Sequence, residues 1–380
     1  MRKHLQMRRL AALGMAVALA VPCMAGCQKK GSDELILGLA VPETGASAYG
    51  GGVVKNAVTM AVNEINEAGG IDGKWKIKLV VEDNENEPAK SVTVMEKLVN
   101  QDNCHVVISS TASSCVLADM AVTQKAGVAE LAPASTAAAL TQQGNKYLFR
   151  TAATDAINVE TLYKYLTETM GKHDIAVLYE SNDFGMGAYT LLQDHAAEYG
   201  VNIKMAEAYN VGDVDFSVHL TKIKDANPDA IFVWGHYEEV TLMRKQMKQY
   251  NIDIPVMGTG YNSPKLIEMG GSDVEGVMFS ACFTDANPDE RVQEFNKKYL
   301  ELYNEGYDQN APQAYDTVYL ITEAVKRAGK LDREAIRNEI AATKDFDGIS
   351  GVMSFDENGE IIKDILMVEI RDGKHNLLTE

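Results

Sequence analysis

The strongest constraint on the fold of this 380-residue chain is an alternation of short apolar runs with amphipathic stretches, repeated in two series. In the first series, Leu35-Ile36-Leu37-Gly38-Leu39-Ala40-Val41 has the character of a strand buried on both faces. Val54, Val58, Ala61, Val62 and Ile65 then recur at helical spacing, and Gly69-Gly70 supplies the stop. A strand over 77–81, a helix over 88–101 with Pro88 in its first turn, a strand over 106–108, a helix over 114–126 and a strand over 128–132 follow. The second series starts after the polar segment 151–155. Strands over 175–179, 203–208, 230–234 and 255–258 alternate there with helices over 186–199, 216–226 and 239–250.

Repeated β-α-β units imply parallel sheets covered by helices, so two such series predict an α/β fold of two doubly wound lobes. The remainder, 286–380, is helix-rich, with short strands near 349–355 and 365–370. It is too helical for a third lobe and is expected to complete the first two, with three crossings between them and a central cleft. The expected division places 34–152 and 284–349 in the first lobe, and 153–283 and 350–380 in the second.

The N-terminus is an address. Arg2, Lys3, Arg8 and Arg9 precede an apolar run over 10–21, and no acid occurs before residue 27. That run is too short to span a bilayer comfortably, and the pattern describes a secretory signal peptide over 1–26. Met24-Ala25-Gly26-Cys27 resembles a bacterial lipobox, with Met24 where Leu is commoner. The resemblance implies cleavage before Cys27, acylation of that cysteine, a polar tether over 27–33 and an extracytoplasmic protein lipid-anchored to the bacterial cell membrane. The plainer alternative is an ordinary signal peptide with a chance cysteine.

The formal charge of −18 argues against nucleic acid, which needs a basic surface to displace its counterions. Cys104, Cys115 and Cys282 are odd in number, and the strand between the first two would hold them too far apart to bridge. All three are expected as small buried hydrophobes. The histidines lack metal-ligand spacing, so neither a metal nor a cofactor is expected.

Ligands of open α/β sheets bind at the carboxyl ends of strands. Two loops there are rich in hydroxyls, Ser109-Ser110-Thr111-Ala112-Ser113-Ser114 and Pro133-Ala134-Ser135-Thr136, and each leads into a helical stretch. A helix start offers free N–H groups and partial positive charge to a carboxylate. Simple capping by Ser113, Ser114, Ser135 or Thr136 is the alternative. Tyr49-Gly50-Gly51-Gly52 fits no phosphate-loop pattern and is expected as a tight turn before the first helix.

In order along the chain come Thr44-Gly45, Asn63-Glu64-Ile65-Asn66 with Gly69-Gly70-Ile71-Asp72-Gly73, Pro133-Ala134-Ser135-Thr136, Phe149-Arg150-Thr151, Phe184-Gly185, Asp215-Phe216-Ser217 and Ala314-Tyr315-Asp316. Together these resemble the branched-chain amino-acid group of periplasmic binding proteins, the solute-binding components of ABC importers. The resemblance implies a type I periplasmic binding protein that closes by a hinge over a small carboxylate-bearing solute. It implies importer membrane subunits as partners, a monomer and no catalysis. The family's carboxylate-gripping serine matches Ser113, and its Ala and Thr on the next loop match Ala134 and Thr136. Its aromatics match Tyr49, Phe184, His236 or Tyr237, and Tyr315.

One position departs. Family members that bind α-amino acids place an acid where Thr259 stands, before Gly260-Tyr261. An ammonium buried without a carboxylate is costly. Either Glu43, Asp155, Glu180, Asp183, Glu238 or Asp316 replaces that acid, or the solute is not an amino acid. A sensing receptor of the same fold is the alternative to transport.

Overall fold

The computed structural model describes residues 34–109 and 112–378. The expected signal peptide, Cys27 and tether lie outside the described residues, as do Ser110 and Thr111. The first lobe opens with β1 (Glu34–Val41), α1 (Ala48–Glu67), β2 (Lys76–Asp83), α2 (Pro88–Asn100), β3 (Val106–Ile108), α3 (Ser113–Ala126), β4 (Ala129–Ala132) and β5 (Leu148–Arg150). Its strands are all parallel, in the order β2-β1-β3-β4-β5. Alternate residues of β1 serve opposite faces: Leu35, Leu37 and Leu39 pack with Val54, Val58 and Ala61 of α1. Ile36 and Ala40 meet Val94 and Leu98 of α2. A strand apolar on both faces therefore draws a helix to each side.

The second lobe begins with α4 (Asp155–Lys164), β6 (Asp174–Glu180), α5 (Asp183–Ala196), β7 (Asn202–Tyr209), α6 (Ser217–Ala226) and β8 (Ala230–Trp234). It continues with α7 (Tyr237–Gln249), β9 (Val256–Thr259), α8 (Pro264–Gly270) and β10 (Met278–Ala281). Leu178 packs with Leu220, Ile223 and Val240 on one side of this sheet, and Val177 with Val159, Leu162 and Leu192 on the other.

The chain then returns to the first lobe as α9 (Glu290–Tyr303), α10 (Asn310–Ala328) and α11 (Arg333–Ala341). Phe295, Val318, Ile321 and Ile336 from these helices join the core beneath β1. A small antiparallel sheet follows, made of β11 (Phe346–Gly348), β12 (Gly351–Phe355) and β13 (Ile361–Ile362).

Here the structure departs from the expected boundary at 349/350. Met353, Phe355 and Ile361 bury in the core of the first lobe, with the Phe355 ring 5.4 Å from that of Phe149. Residues 351–362 thus belong with the first lobe, because their apolar side chains fill its core rather than extending the second sheet. Only β14 (Leu366–Arg371) and β15 (Lys374–Leu378) reach the second sheet, whose order is β15-β14-β10-β9-β8-β6-β7. Both join it antiparallel. The chain therefore crosses between lobes after β5, after β10 and after β13.

The glycines after Tyr49 form no turn. They lie in the first turns of α1, which starts at Ala48. A Cβ at Gly51 would stand 1.8 Å from the Pro42 carbonyl oxygen, so glycine lets the helix sit directly on the end of β1. Cys104, Cys115 and Cys282 are free and buried. Among the described residues, no helix is long and apolar enough to cross a membrane.

Candidate functional site

Strand order reverses between β1 and β3 in the first sheet and between β6 and β8 in the second. Loops at the carboxyl ends of these strands line one cleft of about 340 Å³. The first lobe contributes Tyr49, Ser113, Ser114, Ala134 and Thr136. The second contributes Phe184, His236, Tyr237, Thr259 and Gly260.

The two hydroxyl-rich loops are tied together beneath the cleft. Ser113, the first residue of α3, accepts through Oγ from the Ala137 N–H at 3.3 Å. Arg150, fully buried, donates to the Ala137 carbonyl at 2.6 Å and to Glu360 Oε1 at 2.9 Å. The free N–H groups at the start of α3 thus open into the cleft beside Ala134 and Thr136, a place that favours a carboxylate.

The cleft is closed at its rim. The rings of Tyr49 and Tyr237, from opposite lobes, meet edge-on at 6.1 Å. Lys265 Nζ lies 5.3 Å over the Tyr49 ring, and the Tyr49 hydroxyl donates to the Gly306 carbonyl at 3.1 Å. Burial and the nearby Asp308 push the Tyr49 phenol far above its ordinary range, so it stays neutral. Phe184 packs 5.7 Å from His236. A Cβ at Gly260, whose φ is +94°, would stand 2.3 Å from the Gly235 carbonyl and 3.2 Å from Phe184 Cζ, so only glycine fits there.

Two expected residues are elsewhere. Tyr315 packs 5.1 Å from Phe295, and its hydroxyl donates to Glu64 at 2.5 Å on the outer side of the first lobe. The reason is helical phase. Gln313 of α10 lines the cleft, and two residues on, at about 100° each, the helix presents its opposite face. Ser135 is buried and does not line the cleft; its neighbours Ala134 and Thr136 do.

The acids divide similarly. Glu43 pairs with Lys55, Asp155 accepts from the Trp234 indole at 3.0 Å, and Asp316 accepts from Ser350; none of them, nor Asp183, lines the cleft. Glu180 and Glu238 do. So do Glu239, Asp308, Gln309 and Gln313, which were not among the expected residues. A signal for Asp308 and Gln309 was present in a further polar helix start, Asp308-Gln309-Asn310, where α10 begins.

Glu180 is fully buried and accepts from His236 Nδ1 at 2.6 Å and from Asn182 at 2.9 Å. Burial opposes charge on the imidazole, but the Glu180 carboxylate outweighs it, helped by Glu238 and Glu239, and raises His236 to about 9. Burial likewise opposes the Glu180 charge, yet the imidazolium and the Asn182 bond hold its acid below the ordinary value. Thr259 uses its hydroxyl on the Ser280 carbonyl at 3.3 Å and brings no charge to the cleft.

A family model for periplasmic binding proteins matches residues 34–374. This chain belongs to the periplasmic binding protein family. A Pseudomonas aeruginosa leucine-, isoleucine-, valine-, threonine- and alanine-binding protein is 28% identical over 338 residues, covering 87% of this chain and 88% of the relative. A branched-chain amino acid transporter substrate-binding protein from Streptococcus pneumoniae, solved with isoleucine, superposes with a TM-score of 0.83 at 29% identity. That match covers 91% of this chain and 99% of the other. A Rhodopseudomonas palustris ABC-transporter solute-binding protein, solved with 3,4-dihydroxybenzoic acid, gives 0.82 at 25% identity, covering 90% and 95%. This periplasmic binding protein is extracytoplasmic, and its two lobes have the type I architecture of these solved structures.

Proposed function

We propose that the cleft holds a small carboxylate-bearing solute with its anionic end on the first lobe. The carboxylate sits at the start of α3, within reach of Ser113, Ser114 and the Ala134–Thr136 loop. Phe184, His236 and Tyr237 close over the rest, and hinge closure selects the form that the membrane subunits recognise. The observation that carries this reading is the helix start opening into a closed cleft between two switch points. The protein works as a monomer, without a cofactor, and returns its solute unchanged.

The test is calorimetry against amino acids and simple aliphatic and aromatic acids. Ser113→Ala and Thr136→Ala are each expected to weaken the bound solute by about 10–150-fold, the cost of one hydrogen bond to a charged group. Unchanged affinity in both variants would remove these loops from the site. We also propose that Cys27 is the acylated mature N-terminus. Mass spectrometry of protein from its native cells should find a lipid-modified Cys27, and an unmodified N-terminus elsewhere would rule the anchor out.

A further inference from the structure

Four carboxylates line the cleft, those of Glu180, Glu238, Glu239 and Asp308. Against them stands one imidazole, His236, and no lysine or arginine occurs among the described lining residues. The surplus is not spread evenly. Glu180 is satisfied by His236 and Asn182. Glu239 takes the Gly212 N–H at 2.8 Å on one oxygen, while the other is buried without a partner. Asp308 receives the Asn310 N–H at 2.9 Å and takes part in no salt bridge among the described residues. It stands just before α10 on the first lobe, the lobe that also presents the start of α3.

A carboxylate in this position is expensive to keep empty. Half-buried, and hydrogen-bonded within its own turn by Asn310 alone, it resists ionisation. Burial accordingly raises Asp308 to about 6, even with His236 pulling the other way. A cation delivered by the solute would remove that cost.

We infer that the solute carries a cationic nitrogen as well as its carboxylate, and that Asp308 of the first lobe is the counter-ion for that nitrogen. The inference rests on the proposed carboxylate site and deepens it. It also accounts for Thr259. With both charged ends of the solute held by the first lobe, the second lobe closes without an acid at that position. The walls nearest Asp308 suit a polar solute more than a bare aliphatic one, since Gln309, Asn310 and Gln313 share them, and Gln313 Oε1 is buried without a partner. That orphan acceptor calls for a donor, which an ammonium or guanidinium supplies and a hydrocarbon does not.

The experiment uses wild type and Asp308→Asn with two matched pairs of solutes. One pair, 4-methylpentanoate and leucine, differs by an α-amino group. The other, norleucine and lysine, differs by an amino group at the far end. Wild type should bind the amine-bearing member of at least one pair at least about tenfold more tightly. Asp308→Asn should erase that preference, weakening the amine-bearing member about 10–150-fold and leaving its partner within about threefold. The melting temperature of the empty variant should not fall, because a half-buried carboxylate without a salt bridge has been removed.

Equal binding within both pairs, no binding by any of the four, or a preference that survives Asp308→Asn would each overturn the inference. The two readings fail separately. Sensitivity to Ser113→Ala and Thr136→Ala without sensitivity to Asp308→Asn leaves the carboxylate site standing and removes the cation site. The reverse pattern removes the carboxylate site alone.

Discussion

Arg150→Met should lower the unfolding free energy by about 3–5 kcal/mol, the range for removing one partner of a buried ion pair. Arg150 is fully buried, and its guanidinium reaches both oxygens of Glu360, the Thr141 hydroxyl and the Ala137 carbonyl. Methionine fills much of the space of the stem but strips the charge partner from Glu360, which keeps only the Thr141 hydroxyl and the Ile361 N–H, and leaves the Ala137 carbonyl with the Leu140 N–H alone. Glu360 lies just before β13, so the pair also fastens the small antiparallel sheet to the loop that carries Thr136. The loss should therefore reach the site, and solute affinity should fall although position 150 does not line the cleft. Denaturant unfolding of the empty protein measures the first effect and calorimetry the second. Adding Glu360→Gln should recover part of the stability, since the stranded charge is then gone. A single variant within about 1 kcal/mol of wild type would show that the pair contributes nothing net, as some buried pairs do.

The second large effect concerns protons. In Glu180→Gln, His236 should titrate well below about 9 and toward its ordinary 6.5, because its hydrogen-bonded carboxylate is gone while the half-exposed ring keeps only the weaker pull of Glu238 and Glu239. Glutamine keeps the shape of the side chain and an acceptor for Asn182. The sign of the stability effect follows from both partners. His236 is raised on folding, so its contribution is complete below pH 6.5 and is lost as pH rises through about 9. Glu180 is lowered, so its contribution is complete above its ordinary 4.5 and is lost as pH falls through its lower folded value. The stability gap between wild type and Glu180→Gln should be widest between pH 4.5 and 6.5 and should shrink above pH 9. NMR titration of the His236 ring protons reads the first quantity, and melting curves across pH read the second. An imidazole that still titrates near 9 in the variant would assign its charge to Glu238 and Glu239 instead.

The fold was legible because its strands and helices advertise themselves by period. Leu35 to Val41 is apolar at every position but Gly38, and only a strand covered on both faces satisfies that. β10 was passed over, since Met278-Phe279-Ser280-Ala281 is four residues long and includes a buried serine bonded to Asn158. The lobe boundary was misplaced for a related reason. A short strand announces that it pairs, but its sequence does not say with which sheet. Ser113 and Thr136, expected from hydroxyl-rich helix starts, and Phe184 and His236, expected from the family resemblance, all line the cleft. Tyr315 was misplaced because helical phase decides which side of α10 faces inward, and an aromatic is welcome on either side. Asp308 was missed because a lone acid in a turn resembles any other. Only the fold shows that this one lines the cleft without a salt bridge among the described residues.

The three crossings also bear on how the chain reaches its native state. The core beneath β1 is finished by Val318, Ile321 and Phe355, and the edge of β10 is covered by β14 at 366–371. Neither lobe is contiguous in sequence, so the first cannot complete its core before Ile361 is available, nor the second before Ile370. Contacts between segments some 280 residues apart require loop closure that is unfavourable until much of the chain has collapsed, which makes folding slow. For an extracytoplasmic protein that delay is useful. A chain that cannot complete either core from its N-terminal part alone would still be incompletely folded when it leaves the cytoplasm.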